Sequence, residues 1–322
     1  MNIVTLAGGV GGAKLAQGLA ITPAPLSQFG RGDGGEGSLT IIVNTGDDFE
    51  WHGLYVCPDL DTVTYTLGGV ANTITGWGVA DDTFEAIGAL QRLGVEQWFK
   101  IGDRDLATHV HRTEMLRDGK TLTEATSIIT RALGIQATIL PMTDDRFRTM
   151  VETDQGVLEF QEYFVRRQWQ PVIKRIIFDG ALSAKATPQV VEALQQADAI
   201  IIAPSNPFVS VEPILTLTPT PLTQIGRGGE IAAVSPIVGG QAIKGPAAKM
   251  FRELGWEPSA LAVAQHYRGL VTHFILDQVD VNQESAIQSL GMKTLVTNTI
   301  MQSVEDRARL ASEVIEFVRR DA

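Results

Sequence analysis

Apolar residues in this chain cluster in short runs, and each run leads directly into glycine, proline, asparagine or aspartate. Short, continuous runs rich in β-branched residues are typical of strands buried on both faces of a parallel sheet. The stretches between them have helical character, so the pattern predicts an α/β fold with a mostly parallel sheet. The predicted strands are Asn2–Ala7, Leu39–Val43, Trp98–Ile101, Ala137–Leu140, Ala199–Ile202 and Ile231–Val234.

The last helix is the clearest of the predicted helices. It begins near Ser303, and Leu310, Val314 and Val318 follow at i, i+4 and i+8 spacing. This spacing places the three side chains on one face, which we expect to pack against the core.

The pattern changes between residues 105 and 170, where two helical stretches precede a strand-like segment. We predict an inserted subdomain at 105–170, carried by an α/β core formed from 1–104 and 171–322. Segments 21–38 and 218–230 are rich in glycine, proline and small polar residues, which predicts surface loops.

Polar and glycine-rich motifs follow several of the predicted strands. Parallel strands share a carboxyl edge, and ligands of open α/β sheets bind in the crevice beyond that edge. We therefore expect these motifs to converge at one site.

Composition and charge argue against several classes of protein. The 322 residues are 44% hydrophobic and carry a net charge of −11, which argues against non-specific binding to nucleic acid. No apolar run approaches the roughly 18–20 residues that span a bilayer, and the first residues lack a basic signal-peptide region. The single cysteine, Cys57, excludes an intramolecular disulfide framework. We expect a soluble cytoplasmic protein that does not act at a membrane.

A glycine-rich turn follows the first predicted strand. It does not match the dinucleotide fingerprint, which would need glycine at position 14, or a Walker A loop, which would need serine or threonine at position 15. Glycines and a helix amino terminus suit an anion, so we predict an anion or nucleotide cradle; a tight strand-to-helix turn is the alternative, and NAD-dependent dehydrogenase chemistry is disfavoured. The candidate residues are Gly8, Gly9, Gly11, Gly12 and Lys14.

Aspartates are concentrated after the second strand, at Asp47, Asp48, Asp59 and Asp61. Adjacent carboxylates are costly unless they are solvated, protonated or neutralised by a cation. Carboxylate oxygens are the ligands that Mg²⁺ prefers, so we predict contact with a metal or substrate. The alternative for Asp59 or Asp61 is a helix cap. Cys57, which has no adjacent base, is expected to be a small buried residue.

Basic residues are concentrated at 99–113, a pattern that suits an anionic or polar ligand. They are Lys100, Arg104, His109, His111 and Arg112. A solvated helix face is the alternative. His109 and His111 are two positions apart, so on a helix they point to different faces and do not form a metal pair.

Small polar residues follow two further strands. Asn206 could contact a base or sugar, and Ser205 and Ser235 could bind phosphate, with ordinary loop interactions as the alternative. No Ser-His-Asp or Cys-His pairing indicates covalent catalysis. Phosphoryl or nucleotidyl transfer, achieved by positioning and a metal, fits these residues better.

Taken together, these stretches resemble the 2-phospho-L-lactate transferase (CofD-type) family, which acts in the biosynthesis of the deazaflavin coenzyme F-420. The resemblance covers most of the chain, in family order. It is carried by "LAGGVGGAKL", "NTGDDFEWHGLYVCPDLDTVTYTLGG", "WFKIGDRDLATHVHRT", "LPMTDDRFRT", "FQEYFVRR", "APSNP" and "VSPIVGGQAIKGPAAKM".

The resemblance implies a Rossmann-like α/β core with helices on both faces, a homodimer, and Mg²⁺ as cofactor. It also implies that the deazaflavin Fo and a guanine nucleotide are bound. The terminal ribityl hydroxyl of Fo would attack the distal phosphorus of lactyl- or enolpyruvyl-diphospho-guanosine, with release of GMP. The product would be F-420-0 or its dehydro form.

The resemblance also assigns roles to single residues. Asp47 and Asp61 match metal-binding or Fo-contacting positions, Lys100 matches an Fo contact, and Arg104 lies close by. The glycine turn from Gly8 to Gly12, Lys14, Ser205 and Asn206 match the nucleotide side. Asp47, Asp48 and Asp61 are the candidates for a general base.

The nearest rival is a related family of CofD-like nucleotide-sugar-binding regulators, which are not transferases. In these proteins we expect a glycine- and serine-rich stretch in place of "PDLDTVTYTLGG". The presence of "PDLD" and "GDRD" in this chain favours the enzyme.

Overall fold

The computed structural model describes residues 1–22, 37–218, 222 and 230–320. The predicted loops at 21–38 and 218–230 lie almost entirely outside these residues. None of the helices within the described ranges has the length and apolar character needed to cross a membrane.

The described residues form an alternating succession of strands and helices. The strands are β1 Ile3–Ala7, β2 Leu39–Val43, β3 Phe49–Trp51, β4 Leu54–Val56, β5 Thr138–Pro141, β6 Arg148–Thr153, β7 Gly156–Glu159, β8 Ile173–Asp179, β9 Ala199–Ile202, β10 Glu230–Val234, β11 Ile237–Val238, β12 Gln241–Ala242, β13 His273–Asp277 and β14 Lys293–Thr297. The α-helices are α1 Gly9–Ile21, α2 Pro58–Leu67, α3 Glu85–Arg92, α4 Asp103–Arg117, α5 Leu122–Ala132, α6 Pro188–Gln196, α7 Glu212–Leu217, α8 Ala247–Glu253, α9 Ala260–His266, α10 Glu284–Gln288 and α11 Val304–Arg319. Short π-helical segments occur at Glu162–Arg166 and Pro207–Val211, and a 3₁₀ segment at Gln278–Gln283.

The core of the fold is a seven-stranded sheet in the order β14-β13-β10-β9-β1-β2-β5. Every pairing within it is parallel. This confirms the predicted α/β class with a mostly parallel sheet. In the described chain, antiparallel strand pairs form three small additional sheets, β7-β6-β8, β3-β4 and β11-β12.

Both faces of this sheet are buried. In β1, Val4 and Leu6 belong to one apolar cluster, whereas Ile3 and Ala7 belong to the other. Because side chains alternate across a strand, a strand covered on both faces must be apolar at nearly every position. This explains why the central strands could be recognised as continuous apolar runs.

The predicted last helix is confirmed as α11. Ser303 caps it in a reciprocal pair with Asp306, and Leu310, Val314 and Val318 are fully buried. α11 packs directly on α1, at a point where α1 has Gly18. A Cβ atom there would collide with the Arg307 carbonyl oxygen, so this close approach requires glycine.

One predicted strand is wrong. Residues Trp98–Ile101 do not form a strand, because successive side chains pack into one aromatic cluster instead of alternating across a sheet. The Phe49 ring lies 6.0 Å from that of Trp98 and 4.8 Å from that of Phe99. β13 and β14 were not predicted.

Residues 105–170 contain most of α4, all of α5, and the strands β5, β6 and β7. Of these, β5 pairs with β2 in the main sheet, and β6 pairs with β8, which lies beyond residue 170. The division into a core and an inserted subdomain stays a prediction.

Candidate functional site

Three of the motifs meet at the carboxyl edge of the sheet. The turn after β2 is joined to β1 by a hydrogen bond of 3.1 Å from Asn44 N to Ala7 O. The turn after β9 is joined to the same strand by Ala203 N to Leu6 O, at 3.0 Å. The expected convergence of glycine-rich, acidic and small polar residues is therefore observed.

The glycine turn is held against the segment that follows β9. Gly8 N donates to Ser205 Oγ at 3.1 Å, and that hydroxyl donates to Gly8 O at 2.8 Å. A Cβ atom at Gly11 would collide with the Pro204 carbonyl oxygen. Gly9 has φ of +61°, a conformation that favours glycine. These glycines thus satisfy the requirements of a tight turn, and their predicted role toward a nucleotide stays a prediction.

Asp59 connects the glycine turn to the acidic cluster. Its Oδ1 accepts a hydrogen bond of 2.6 Å from Gly9 N, and its Oδ2 accepts one of 3.0 Å from Asn44 Nδ2. Burial raises the pKa of Asp59 to about 6, although these two hydrogen bonds oppose the shift. Asp59 and Asp61 lie within the first turn of α2, after Cys57, so neither is the residue that caps this helix.

Asp47 lies beside Asp59 and is held by two amide groups. Asn44 Nδ2 donates to Oδ1 at 3.1 Å, and Gln161 Nε2 donates to Oδ2 at 2.9 Å. Burial raises the pKa of Asp47 well above its usual range, and the charges of Asp59 and Asp48 raise it further. Among the described residues, the side-chain donors to Asp47 are these two neutral amides, and no cation is among the groups that shift its pKa.

Asp48 is buried with unsatisfied oxygens. Within the described part of the chain, neither Oδ1 nor Oδ2 accepts a hydrogen bond from a nitrogen or oxygen donor, and the buried Cys57 thiol is a weak donor beside them. The nearby hydroxyls of Thr45 and Thr149 are also buried and unpaired. Burial raises the pKa of Asp48 to about 8, although the charge of Arg148 opposes this shift. Buried polar atoms normally have partners, so these oxygens point to a group that binds here.

The carboxylates of Asp47, Asp48 and Asp59 have the oxygen chemistry that Mg²⁺ takes, although the group of three that the described residues bring within 4.8 Å is Asp61, Asp105 and His109. Hard divalent cations take carboxylate and water oxygens, and their charge would remove the repulsion among these side chains. The unsatisfied oxygens of Asp48 are the observation that supports this fit.

Asp61, predicted as the second metal ligand, lies in a different arrangement. Both of its oxygens accept hydrogen bonds from the guanidinium of Arg112, which is also buried. His109 Nδ1 lies 3.6 Å from Asp61 Oδ2, and its Nε2 lies 3.2 Å from Asp105 Oδ1. Tyr65 Oη donates to that same oxygen of Asp105 at 2.8 Å.

Ligand atoms of Asp61, Asp105 and His109 lie within 4.8 Å of one another, a spacing that could hold a metal. Arg112 already supplies positive charge to this cluster. Although burial alone would lower the pKa of Arg112, the Asp61 carboxylate raises it well above its usual range. The set has the character of a buried ion-pair network.

The "GDRD" motif supports the start of one helix and forms the start of another. Asp103 accepts hydrogen bonds of 3.0 Å from Glu85 N and Ala86 N at the start of α3. Asp82 accepts from Arg104 N and Asp105 N, at 2.8 and 3.0 Å, at the start of α4. Side-chain oxygens satisfy free N–H groups at helix amino termini.

The predicted basic residues are divided between interior and surface. His109 and Arg112 are buried, whereas His111 is exposed, which confirms that the two histidines face different directions. Lys100 is exposed, and Arg104 donates from Nη1 to Ala80 O at 3.0 Å. Their predicted contacts with Fo stay predictions.

On the nucleotide side, Asn206 and Lys14 already have partners. Asn206 Oδ1 accepts from Phe208 N at 3.0 Å, and its Nδ2 lies 3.1 Å from Met250 Sδ. Lys14 Nζ donates to Met301 O at 2.7 Å. Burial lowers the pKa of Lys14, and the charges of Arg307 and Lys244 lower it further.

Sequence reasoning missed several residues of the site. Gln161 and Lys244 reach it from distant segments, and Lys244 Nζ donates to Thr75 O at 3.0 Å, close to the glycine turn. Both lie in stretches that carry the family resemblance, but no spacing within those stretches singles out either residue. Asn44 could have been found, because it is an amide that directly follows a predicted strand and precedes the aspartates.

Comparison with known proteins adds independent information. The family model "2-phospho-L-lactate transferase CofD" matches residues 3–321. A 2-phospho-L-lactate transferase from Methanopyrus kandleri is 38% identical over 99% of this chain and 98% of its own length. A phosphoenolpyruvate transferase from Streptomyces griseus subsp. griseus is 39% identical over 98% of each chain.

Among solved structures, a UPF0052-family protein from Bacillus halodurans has the same fold. Its TM-score is 0.62 at 15% identity, over 98% of both chains. This likeness shows the fold alone. The match along nearly the whole sequence shows more: the chain belongs to the 2-phospho-L-lactate transferase (CofD) family, and it is a transferase of that type.

Proposed function

We propose that this transferase joins Fo to the phosphorylated three-carbon acid of lactyl- or enolpyruvyl-diphospho-guanosine, with release of GMP. The single observation that carries the proposal is the hydrogen bond from Gly9 N to Asp59 Oδ1, which joins the glycine turn and the acidic cluster into one site. An anion cradle beside a set of buried carboxylates is what metal-assisted transfer of a phosphoryl group requires. Relatives named for lactate and for phosphoenolpyruvate both match, so either donor is consistent.

The nucleotide diphosphate would lie at the glycine turn. Lys14 and Lys244 supply positive charge there, and among the described residues each ammonium group binds a main-chain carbonyl oxygen and forms no ion pair with a carboxylate. A cation without a carboxylate partner is available to a phosphate oxygen. This supports the assignment of the nucleotide to Gly8–Gly12, Lys14, Ser205 and Asn206, to which we add Lys244.

The acidic cluster would hold Mg²⁺ through Asp47, with Asp48 beside it. We retain Asp61 as a proposed Mg²⁺ ligand. Each of its carboxylate oxygens has a second lone pair besides the one that accepts a hydrogen bond from Arg112. When bound, Mg²⁺ would neutralise charge on the phosphate oxygens of the donor.

Fo would approach from the side of Lys100, Arg104 and Asp61. The aromatic cluster of Phe49, Trp51, Trp98 and Phe99 adjoins Lys100 in sequence, and Trp51, Trp98 and Phe99 are only partly buried. Aromatic faces of this kind suit the planar deazaflavin ring.

In the proposed reaction the terminal ribityl oxygen of Fo bonds to the distal phosphorus of the donor. The bond from that phosphorus to the GMP oxygen breaks, and GMP leaves with the electron pair. The hydroxyl proton passes to a carboxylate, for which Asp47, Asp48 and Asp61 are the candidates. Asp48 is the one whose oxygens accept no hydrogen bond from a nitrogen or oxygen donor among the described residues. Catalysis then consists mainly of alignment and charge neutralisation.

The test is mass spectrometry of the purified protein incubated with Fo, Mg²⁺ and each guanosine-linked donor in turn. We expect one donor to give an Fo-linked phosphodiester together with GMP. A folded protein that binds guanine nucleotide but forms no product from either donor would contradict the proposal and favour the regulatory function.

The homodimer is part of the proposal. No side chain of α3 is fully buried by the described part of the chain, although Ile87 is partly buried against the aromatic cluster, and the adjacent Phe84 and Leu93 are exposed. Exposed apolar surface of this kind marks interaction sites, so we place the dimer contact at α3. Light scattering should give twice the chain mass of 34.8 kDa, and Leu93→Glu should lower that value. A wild-type mass equal to one chain would contradict the dimer.

A further inference from the structure

We propose that Gln161 is a positioning residue that fixes the orientation of the Asp47 carboxylate toward the bound cation and donor phosphates. The inference rests on the proposed function and extends it to a residue of the "FQEYFVRR" stretch, whose role the mechanism leaves open. Gln161 and Asp47 are 114 positions apart in sequence, yet the amide Nε2 lies 2.9 Å from Asp47 Oδ2.

The carboxylate of Asp47 is held on both oxygens. Gln161 donates to Oδ2, and Asn44 donates to Oδ1 at 3.1 Å. All three side chains are buried, so water does not compete for these hydrogen bonds. Two donors on opposite oxygens restrict rotation of the carboxylate and direct its remaining lone pairs.

Gln161 is itself rigidly placed. It lies between β7 and the π-helical segment Glu162–Arg166, a local geometry that occurs frequently at functional sites. The rings of Phe160 and Phe164, which flank it in sequence, stack with centroids 5.5 Å apart, and Tyr163 is fully buried. An amide on such a segment loses little further conformational freedom when it binds Asp47.

A second contact joins the same small sheet to the acidic turn. Thr149 N, in β6, donates to Gly46 O at 2.6 Å, directly before Asp47. The three-stranded sheet β7-β6-β8 therefore contacts this turn through its backbone and through Gln161. Displacement of the sheet would change the orientation of Asp47.

Asp61 and Asp47 differ in the charge of the groups that donate hydrogen bonds to them. Asp61 is paired with the charged guanidinium of Arg112, which cancels much of its negative charge. Asp47 instead accepts from the neutral amides of Asn44 and Gln161, which orient the carboxylate and leave its charge available to a ligand. Removal of a group that orients a metal-binding carboxylate typically weakens metal affinity or activity by about 10–100-fold.

The experiment compares the wild-type protein with Gln161→Met, which keeps the side-chain length and removes the donor. Gln161→Ala is the second variant, and Gln155→Met, at an exposed turn next to β7, is the matched control. Binding of Mn²⁺ is measured by electron paramagnetic resonance, and the Mg²⁺ dependence of turnover is measured separately. Circular dichroism and thermal melting verify that each variant is folded.

We expect Gln161→Met and Gln161→Ala to bind Mn²⁺ about 10–100-fold more weakly and to need correspondingly more Mg²⁺ for half-maximal turnover. The control should match the wild type. A folded Gln161→Met protein with wild-type Mn²⁺ affinity and Mg²⁺ dependence would overturn the inference. Failure of the wild-type protein to bind Mn²⁺ would also overturn it, whether or not transfer occurs. Wild-type protein that binds Mn²⁺ but forms no product would contradict the proposed function, while the affinity difference would still support the role of Gln161.

Discussion

The buried pair of Asp61 and Arg112 gives a quantitative prediction about stability. Their side chains are only 8% and 3% exposed, and the guanidinium donates to both carboxylate oxygens. Removing one partner leaves the other charged, buried and uncompensated, which typically costs about 3–5 kcal/mol. His109, whose Nδ1 lies 3.6 Å from Asp61 Oδ2, leaves Asp61 with a polar neighbour when Arg112 is removed. We therefore expect Arg112→Met to cost about 3 kcal/mol and Asp61→Asn to cost nearer 5 kcal/mol.

A double-mutant cycle in urea measures this directly. The double variant Asp61→Asn/Arg112→Met should be more stable than the sum of the single losses predicts, because no unpaired charge remains. The exposed pair of Arg146 and Asp179, joined at 2.7 Å with side chains 63% and 51% exposed, is the matched control. The interaction free energy between Arg146 and Asp179 from the same kind of cycle should be about 0–1 kcal/mol. Additive losses at Asp61 and Arg112, or coupling no larger than in the control, would refute the argument.

Three further substitutions test the glycine turn and the proposed binding of the nucleotide and of Fo. Gly11→Ala forces a Cβ atom into the Pro204 carbonyl oxygen, so we expect a loss of about 1–3 kcal/mol in urea unfolding; unchanged stability would mean that the turn can relax. Lys244→Ala should raise the donor KM several-fold with little change in melting temperature, and an unchanged KM would remove Lys244 from the nucleotide side. Lys100→Ala should weaken binding of Fo more than binding of GDP in fluorescence and calorimetric titrations. A larger loss of GDP binding than of Fo binding would show that Fo is wrongly assigned as the ligand of Lys100.

The central strands could be predicted because burial on both sheet faces leaves an uninterrupted apolar run. β1, β2 and β9 illustrate this, since all their residues are buried or nearly so. β14, at the edge of the sheet, is mostly half-exposed and lacks such a run. Trp98–Ile101 has the composition of a strand, but its aromatic side chains gain more by packing together around Phe49.

The candidate site was predictable only where residues directly follow a strand. Asp47 and Ser205 were predicted for this reason, because parallel strands bring their carboxyl ends to one edge, and the structure places both residues there. Gln161, Lys244 and the partner of Asp61 come from distant segments. Their contacts depend on tertiary packing that no local spacing records.

Single-turnover transfer by the wild-type protein and by Asp47→Asn, both at saturating Mg²⁺, tests the central claim most directly. Fo-linked product and GMP are quantified in the same sample by mass spectrometry, after melting curves have shown that both proteins are folded. We predict that the wild type forms product and GMP in equal amounts, and that Asp47→Asn forms neither at a detectable rate. Product formation by Asp47→Asn at the wild-type rate would contradict the assignment of the buried acidic cluster as the centre of the reaction.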